Sequence, residues 1–269
     1  MQTPLALSRR PLVRTAWLPL YLAAMASAAQ AAGPTGLLND TGQTRCLNRA
    51  GNALEACSAA NTGDGSARPG QDGRFGRDAA AGNPGASGFS KPAGSGGNGG
   101  FAFIPLDVSG TAIALTGSPP VPSATPRCIR DTVTNLIWEV KTDDNGLQDK
   151  DWSYGWGANT GGTNCLAGSN CNTNNYIIAL NAASVCPVAG AGVWRLPTRR
   201  ELLSIVDHGR FSPAIDVNYF PNTVNSNYWS ATGYAPDPAY AWFVNFYNGY
   251  TFAYYQSLNF HVRLVRSGQ

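Results

Sequence analysis

The sequence predicts an α+β domain at the C-terminal end of an exported chain, carried on a stalk rich in Gly and Pro. Three observations lead there. Two segments have helical apolar spacing, one of them opened by a capping box; short aromatic strands flank an Asn-Gly turn; and the composition changes abruptly near residue 100.

Residues 1–31 have the parts of a secretory signal. Arg9, Arg10 and Arg14 form a basic start, Ala16 to about Ala26 an apolar stretch, and Ala29-Gln30-Ala31 a small-residue cleavage site. The apolar stretch is shorter than the ~20 residues of a spanning helix, and Pro19 interrupts it. No later segment replaces it, so the expectation is an exported protein of the periplasm, cell surface or medium of a Gram-negative bacterium, with no membrane span. Ser8-Arg9-Arg10-Pro11-Leu12-Val13-Arg14 fits a loose twin-arginine signal as well as an ordinary one. With no cysteine at the cleavage site, a lipid anchor is not expected there.

Charge then excludes one class of partner. The whole chain has 19 basic and 16 acidic residues, but three of the basic ones belong to the signal, leaving 16 against 16. Without a net positive field or a Lys/Arg cluster, nucleic acid is not an expected partner.

Six cysteines, Cys46, Cys57, Cys128, Cys165, Cys171 and Cys186, form an even set. In an exported chain that implies three disulfides rather than free thiols. Proximity favours Cys46–Cys57 and Cys165–Cys171, which leaves Cys128–Cys186. A metal reading is weak: there is no C-x-x-C, and neither of the two histidines, His208 and His261, lies at ligand spacing from a cysteine or a second histidine.

Residues 61–100 contain 13 Gly and 3 Pro and almost no large apolar side chain, so they cannot bury a core of their own. The expected organisation is a signal over 1–31, a low-complexity stalk and extended lead-in over 32–126, and a binding domain over 127–269. The lead-in is Phe101 to Thr125, opened by Phe-Ala-Phe-Ile-Pro-Leu.

Within the domain, Leu136 to Val140 reads as a strand and Thr142-Asp-Asp-Asn-Gly146 as a turn. Tyr176, Ile177, Leu180 and Ala183 recur at helical spacing behind Thr173 as cap. Thr198-Arg-Arg-Glu201 is a capping box in which threonine and glutamate each satisfy a free amide of the first turn, and Leu202, Ile205 and Val206 give that helix its apolar face. Asn248-Gly249 is the strongest two-residue hairpin signal. Pairing outward from it sets Tyr247 opposite Tyr250, Asn245 opposite Phe252 and Phe243 opposite Tyr254 on one face. Trp242, Val244 and Phe246 then pair with Tyr255, Ala253 and Thr251 on the face expected to pack. The first face offers rigid aromatic area and amide hydrogen bonds, the combination suited to recognition, so Phe243, Asn245, Tyr247, Tyr250, Phe252 and Tyr254 are the expected ligand-binding residues.

A family resemblance follows from four ordered stretches: Arg130-Asp131-x-x-Thr134-x-Leu136-Ile137-Trp138-Glu139, Trp194-Arg195-Leu196-Pro197-Thr198-x-x-Glu201-Leu202, Tyr228-Trp229-Ser230, and Val262-Arg263-Leu264-Val265-Arg266. Over about residues 127 to 266 the chain resembles the DUF1566, or Lcl C-terminal domain, family of exported bacterial proteins. Gln71 to Asp78 resembles a feature found upstream in such proteins. Asn135 stands where the resemblance leads one to expect glycine. The resemblance implies a C-type-lectin-like fold, two helices against small twisted antiparallel sheets, with Trp194, Arg195, Thr198, Glu201 and Trp229 as structural motif residues. The founding adhesin is associated with glycosaminoglycans, but the neutral charge here offers such a polymer little attraction.

Catalysis is not expected. The Arg195 to Glu201 stretch is similar to one in formylglycine-generating enzymes, whose chemistry needs two reactive cysteines near the C-terminal end, whereas the last cysteine here is Cys186. There is no Gly-x-Ser-x-Gly elbow either. No cofactor is expected, with calcium near Asp143, Asp144 and Asp149 the nearest candidate. The spacing of these residues with Asn145 and Asp151 does not match an EF-hand loop, and Ala235-Pro236-Asp237 lacks the first ligand of lectin-type calcium sites. The expected function is therefore non-enzymatic and adhesin-like, with an extracellular carbohydrate or surface protein as partner. In some relatives of this fold the stretch matching Tyr240 to Asn259 is diversified by a retroelement. The rival reading is a self-assembling subunit of a surface appendage.

Overall fold

The computed structural model describes Thr41, the backbone of 45–47 and 54–56, and residues 91–161, 164–166 and 170–268. The expected signal, most of the stalk, the Gln71 to Asp78 feature and the expected Cys46–Cys57 bond lie outside the described residues. Two antiparallel sheets and two helices dominate the rest, an α+β arrangement. In chain order the elements are β1 (Arg45–Leu47), β2 (Leu54–Ala56), β3 (Phe103–Leu106), β4 (Leu115–Thr116), β5 (Val121–Pro122), β6 (Cys128–Asp131), β7 (Leu136–Glu139), α1 (Thr173–Ala182), α2 (Arg199–Leu203), β8 (Asn227–Gly233), β9 (Tyr240–Asn245), β10 (Thr251–Tyr255) and β11 (Val265–Ser267). Among the described residues no helix is long and apolar enough to cross a membrane.

The larger sheet has the order β11-β7-β6-β3. Its central hairpin, β6–β7, closes through Asp131, whose carboxylate accepts from the amides of Val133 and Thr134 at 2.9 and 3.3 Å and from the Thr134 hydroxyl at 2.7 Å. Asn135 takes φ 55° at the end of that turn, the left-handed conformation that Asn tolerates better than most residues. All four residues of β7 are buried, so the strand packs on both faces. Leu136 and Trp138 enter one apolar cluster with Ile129, Leu202 and Phe220, while Ile137 enters a second with Tyr176, Leu180 and Trp229.

Phe101 to Thr125 is extended in part, and it belongs to the fold. β3 pairs with β6 from Phe103↔Asp131 to Leu106↔Cys128, and Phe101 and Phe103 are buried against Tyr219 and Phe220. The folded unit thus starts upstream of Arg127; the β-branched and aromatic run Phe-Ala-Phe-Ile completes the sheet rather than leading into it.

The second sheet has the order β10-β9-β8. Successive β9 residues alternate between the two clusters, Ala241 and Phe243 in one and Val244 in the other, as the two-residue period requires. Helix α1 seals the second cluster with Tyr176 and Leu180, and α2 the first with Leu202. The cap of α1 is Asn172 rather than Thr173. Its side chain accepts from the Asn175 amide at 2.9 Å, while the Thr173 hydroxyl accepts from the Gly157 amide at 2.8 Å. Asn and Thr are both good caps, and the one with a competing loop contact loses the position. Cys128–Cys186 ties β6 to the segment after α1, and Cys165–Cys171 closes a loop of the same layer.

Candidate functional site

The motif residues build the frame that holds the hairpin. Thr198 and Glu201 form the capping box of α2, and Arg195 grips both Glu201 oxygens, at 2.8 and 2.6 Å. Partial burial pushes the Glu201 carboxyl up, but the Arg195 fork and the Thr198 amide outweigh it and hold the group below its ordinary value. Arg195 and Val265 exchange backbone bonds at 2.9 Å, and the Arg266 guanidinium lies 4.4 Å over the Trp194 ring. Trp229 is fully buried; its indole N–H donates to the Tyr154 carbonyl at 2.7 Å and its ring meets Phe260 at 4.3 Å. Each of these groups is spent on the frame.

Glu139, Lys141, Tyr176 and Arg263 form a buried polar core. Lys141 donates to Glu139 at 3.1 Å, Tyr176 donates to the same oxygen, and the Leu264 amide donates to the other at 2.8 Å. Arg263 donates to the Glu139 carbonyl at 2.7 Å. These side chains are sealed from solvent, which suits them to support rather than to meeting a substrate.

His261 is held below its ordinary value, first by burial and then by Lys141 nearby. The unfolded imidazole takes a proton below about pH 6.5, so in that range the unfolded chain binds more protons and stability falls as pH drops from there through the folded value. The expected result is that the melting temperature of the wild type falls more between about pH 7.5 and 5.5 than that of His261→Gln. Equal falls would remove His261 from the account.

The hairpin β9–β10 differs from the expected register by two residues. The observed partners are Thr251↔Val244, Phe252↔Phe243 and Tyr254↔Ala241, and the connection is the four-residue loop Phe246 to Gly249. Only Gly249 of the Asn-Gly pair takes positive φ, 82°. The reason is Phe246: fully buried, it packs edge-on against Tyr228 at 5.0 Å, and its amide donates to the Ser226 carbonyl at 2.8 Å. Burying that ring outweighs a two-residue turn. A shift of two leaves every side chain on its expected face.

Of the six expected ligand residues, Phe243 is corrected: it is 2 % exposed and packs against Trp229 and Phe260. Asn245 is half-buried and stitches the loop, donating to the Asn227 side chain at 2.6 Å and accepting from the Tyr247 amide at 2.7 Å. Tyr247, Tyr250, Phe252 and Tyr254 remain, 44–60 % exposed. The structure adds three residues that the sequence reading did not select. Phe211 meets Tyr247 edge-on at 6.4 Å, Tyr255 follows Tyr254 with ring centroids 5.9 Å apart, and Leu258 lies just beyond. Phe211 sits in an irregular Pro- and Asn-rich loop, where periodicity gives no face to read.

The acidic loop is organised by its own groups. Asp143, Asp149 and Asp151 bring ligand atoms within 4.8 Å of one another. The Lys150 ammonium bridges Asp143 and Asp151 at 2.8 and 3.2 Å, and buried Asp149 accepts from the amides of Asp144, Asn145 and Asp151. Asp144 accepts from the Thr142 hydroxyl and the Gly146 amide. The carboxylates are largely satisfied within the loop.

Neither a curated protein nor a solved structure matches the chain. The model of the Lcl C-terminal domain matches residues 127–266, a range that takes in all four motif stretches and the hairpin. That range spans just over half of the 269 residues, and the chain belongs to the Lcl C-terminal domain family.

Proposed function

We propose that this is an exported, non-enzymatic binding protein of adhesin type, which recognises a carbohydrate or a surface protein through the aromatic edge of β10. The observation that carries this reading is where the exposed large apolar side chains fall. Six of the eleven among the described residues, Tyr247, Tyr250, Phe252, Tyr254, Tyr255 and Leu258, lie within twelve residues of one hairpin, and Phe211 lies beside Tyr247. Residues 240–259 contain no Lys, Arg, Asp or Glu. Uncharged aromatic area gathered on one exposed hairpin is costly to leave in water unless something binds it. Two disulfides among the described residues support export. The arrangement of two helices on small antiparallel sheets, together with the family match, supports a C-type-lectin-like fold, and diversification of residues 240–259 by a retroelement is part of the proposal.

One observation favours the assembly reading. β10 is an edge strand, and it lacks the charges or proline that usually protect such an edge. The test is capture by the full chain on glycan and surface-protein arrays, beside the double variant Tyr247→Ala, Tyr250→Ala. A ligand lost in the variant supports the binding reading. Capture indifferent to those tyrosines, with concentration-dependent sedimentation of the wild type, moves it to assembly.

A further inference from the structure

The opposite face of the same hairpin, expected only to pack, carries a second aromatic group. Trp242 and Tyr240 of β9 are half-exposed, and Tyr255 of β10 lies beside Tyr240 with ring centroids 4.3 Å apart. Tyr234, at the end of β8, meets Tyr240 at 6.1 Å and Trp242 at 5.5 Å. Beside this group there is an open cavity of about 500 Å³, lined by Trp156, Tyr234, Tyr240, Pro238 and Gln256 with Gly233 and Ala235. We propose that this aromatic box binds a quaternary ammonium group.

Two features distinguish that ligand from a sugar. A sugar needs free donors and acceptors beside the ring face, and here the Gln256 amide and the Trp156 indole N–H are committed. The Gln256 amide donates to the carbonyls of Pro238 and Tyr240 at 2.8 and 3.2 Å and accepts from Asn159 at 3.3 Å. The Trp156 indole N–H donates to the Ser230 carbonyl at 2.7 Å. A trimethylammonium head asks for no hydrogen bond and gains from the electron-rich faces of Trp and Tyr.

The local charge also suits a cation. No lining residue is basic, and Asp237 sits in the turn that joins Tyr234 to Tyr240, where the backbone bonds Tyr234 N–H to Tyr240 O and Tyr240 N–H to Asp237 O hold the two rings in place. The Tyr240 phenol is pushed up to about 12, first by its hydrogen bond with Tyr255 and then by burial, with the negative field of Asp237 adding to both. The Arg199 guanidinium takes the Trp242 ring, 4.2 Å over it, and leaves Trp156, Tyr234 and Tyr240 to line the cavity.

The test is isothermal titration of the full chain with choline, with its neutral isostere 3,3-dimethylbutan-1-ol, and with methyl glucoside. Choline is expected to saturate and to bind at least about tenfold more tightly than the isostere, since only the charge separates them. Tyr240→Ala is expected to lose at least about tenfold, while Tyr240→Phe, which keeps the ring, stays within about threefold. Asp237→Asn weakens choline and leaves the isostere unchanged. Tyr247→Ala, on the other face, changes neither. Vesicles of phosphatidylcholine and of phosphatidylglycerol separate a lipid headgroup from a free ligand: choline binding with retention on phosphatidylcholine points to the headgroup, and choline binding without retention to a soluble ligand. The proposal is overturned if choline does not saturate, if the isostere binds equally, if methyl glucoside binds in preference, or if the protein binds vesicles but not choline.

Discussion

Glu139→Ala is expected to lower the unfolding free energy by about 3–5 kcal/mol, the range found when one partner of a buried ion pair is removed. Glu139 accepts from Lys141, Tyr176 and the Leu264 amide and is fully buried. Removing it strands the Lys141 ammonium, 2 % exposed, beside the Arg263 guanidinium, with only the weaker field of Asp149 left to offset it. Burial already holds Lys141 below its ordinary value, with Glu139 acting in the opposite sense. The variant therefore favours a neutral Lys141, and its deficit relative to wild type should shrink as pH rises toward the lysine range. Denaturant unfolding at two pH values measures both effects. A loss below about 1 kcal/mol would mean that the network is no more than a replaceable polar filling.

The second large effect is expected from Cys128→Ser, Cys186→Ser. The bond spans 58 residues, and the chain-entropy estimate for a loop of that length is about 4 kcal/mol. The loop holds β7, the acidic loop and α1, and with them Ile137, Tyr154, Tyr176 and Leu180 of the second cluster. Cys165–Cys171 spans only 6 residues and should matter less by the same logic. Melting of the two double variants under oxidising conditions gives the comparison. A smaller loss for Cys128/Cys186 than for Cys165/Cys171 would contradict the entropic account.

Much of the frame was legible in the sequence because it is locally encoded. The capping box at Thr198 and the β7 strand each follow from residues within a few positions of one another. The register of β9–β10 was not. Asn248-Gly249 signals a two-residue turn, but the burial of Phe246 against Tyr228 is a tertiary contact that no window around the turn contains. Phe243 was misplaced for a related reason. Its face is read from the two-residue period, whereas its burial depends on Phe260 and Trp229 covering the inner strand while leaving the edge strand open. Tyr255 and Trp242 were misplaced the other way, since a face expected to pack meets a partner along only part of its length.

Two classes of aromatic side chain thus share one hairpin. Phe243 and Phe246 hold it together, and Tyr247, Tyr250, Phe252 and Tyr254 contribute little to the core that would explain them. The central claim is that the second class is kept for a ligand. The most direct measurement pairs melting with array capture for the triple variant Tyr250→Ser, Phe252→Ser, Tyr254→Ser of the full chain. The account predicts a melting temperature within a few degrees of wild type, as expected of exposed positions, together with loss of the captured ligand. A large fall in melting temperature, or capture that survives all three substitutions, would return these rings to packing and contradict it.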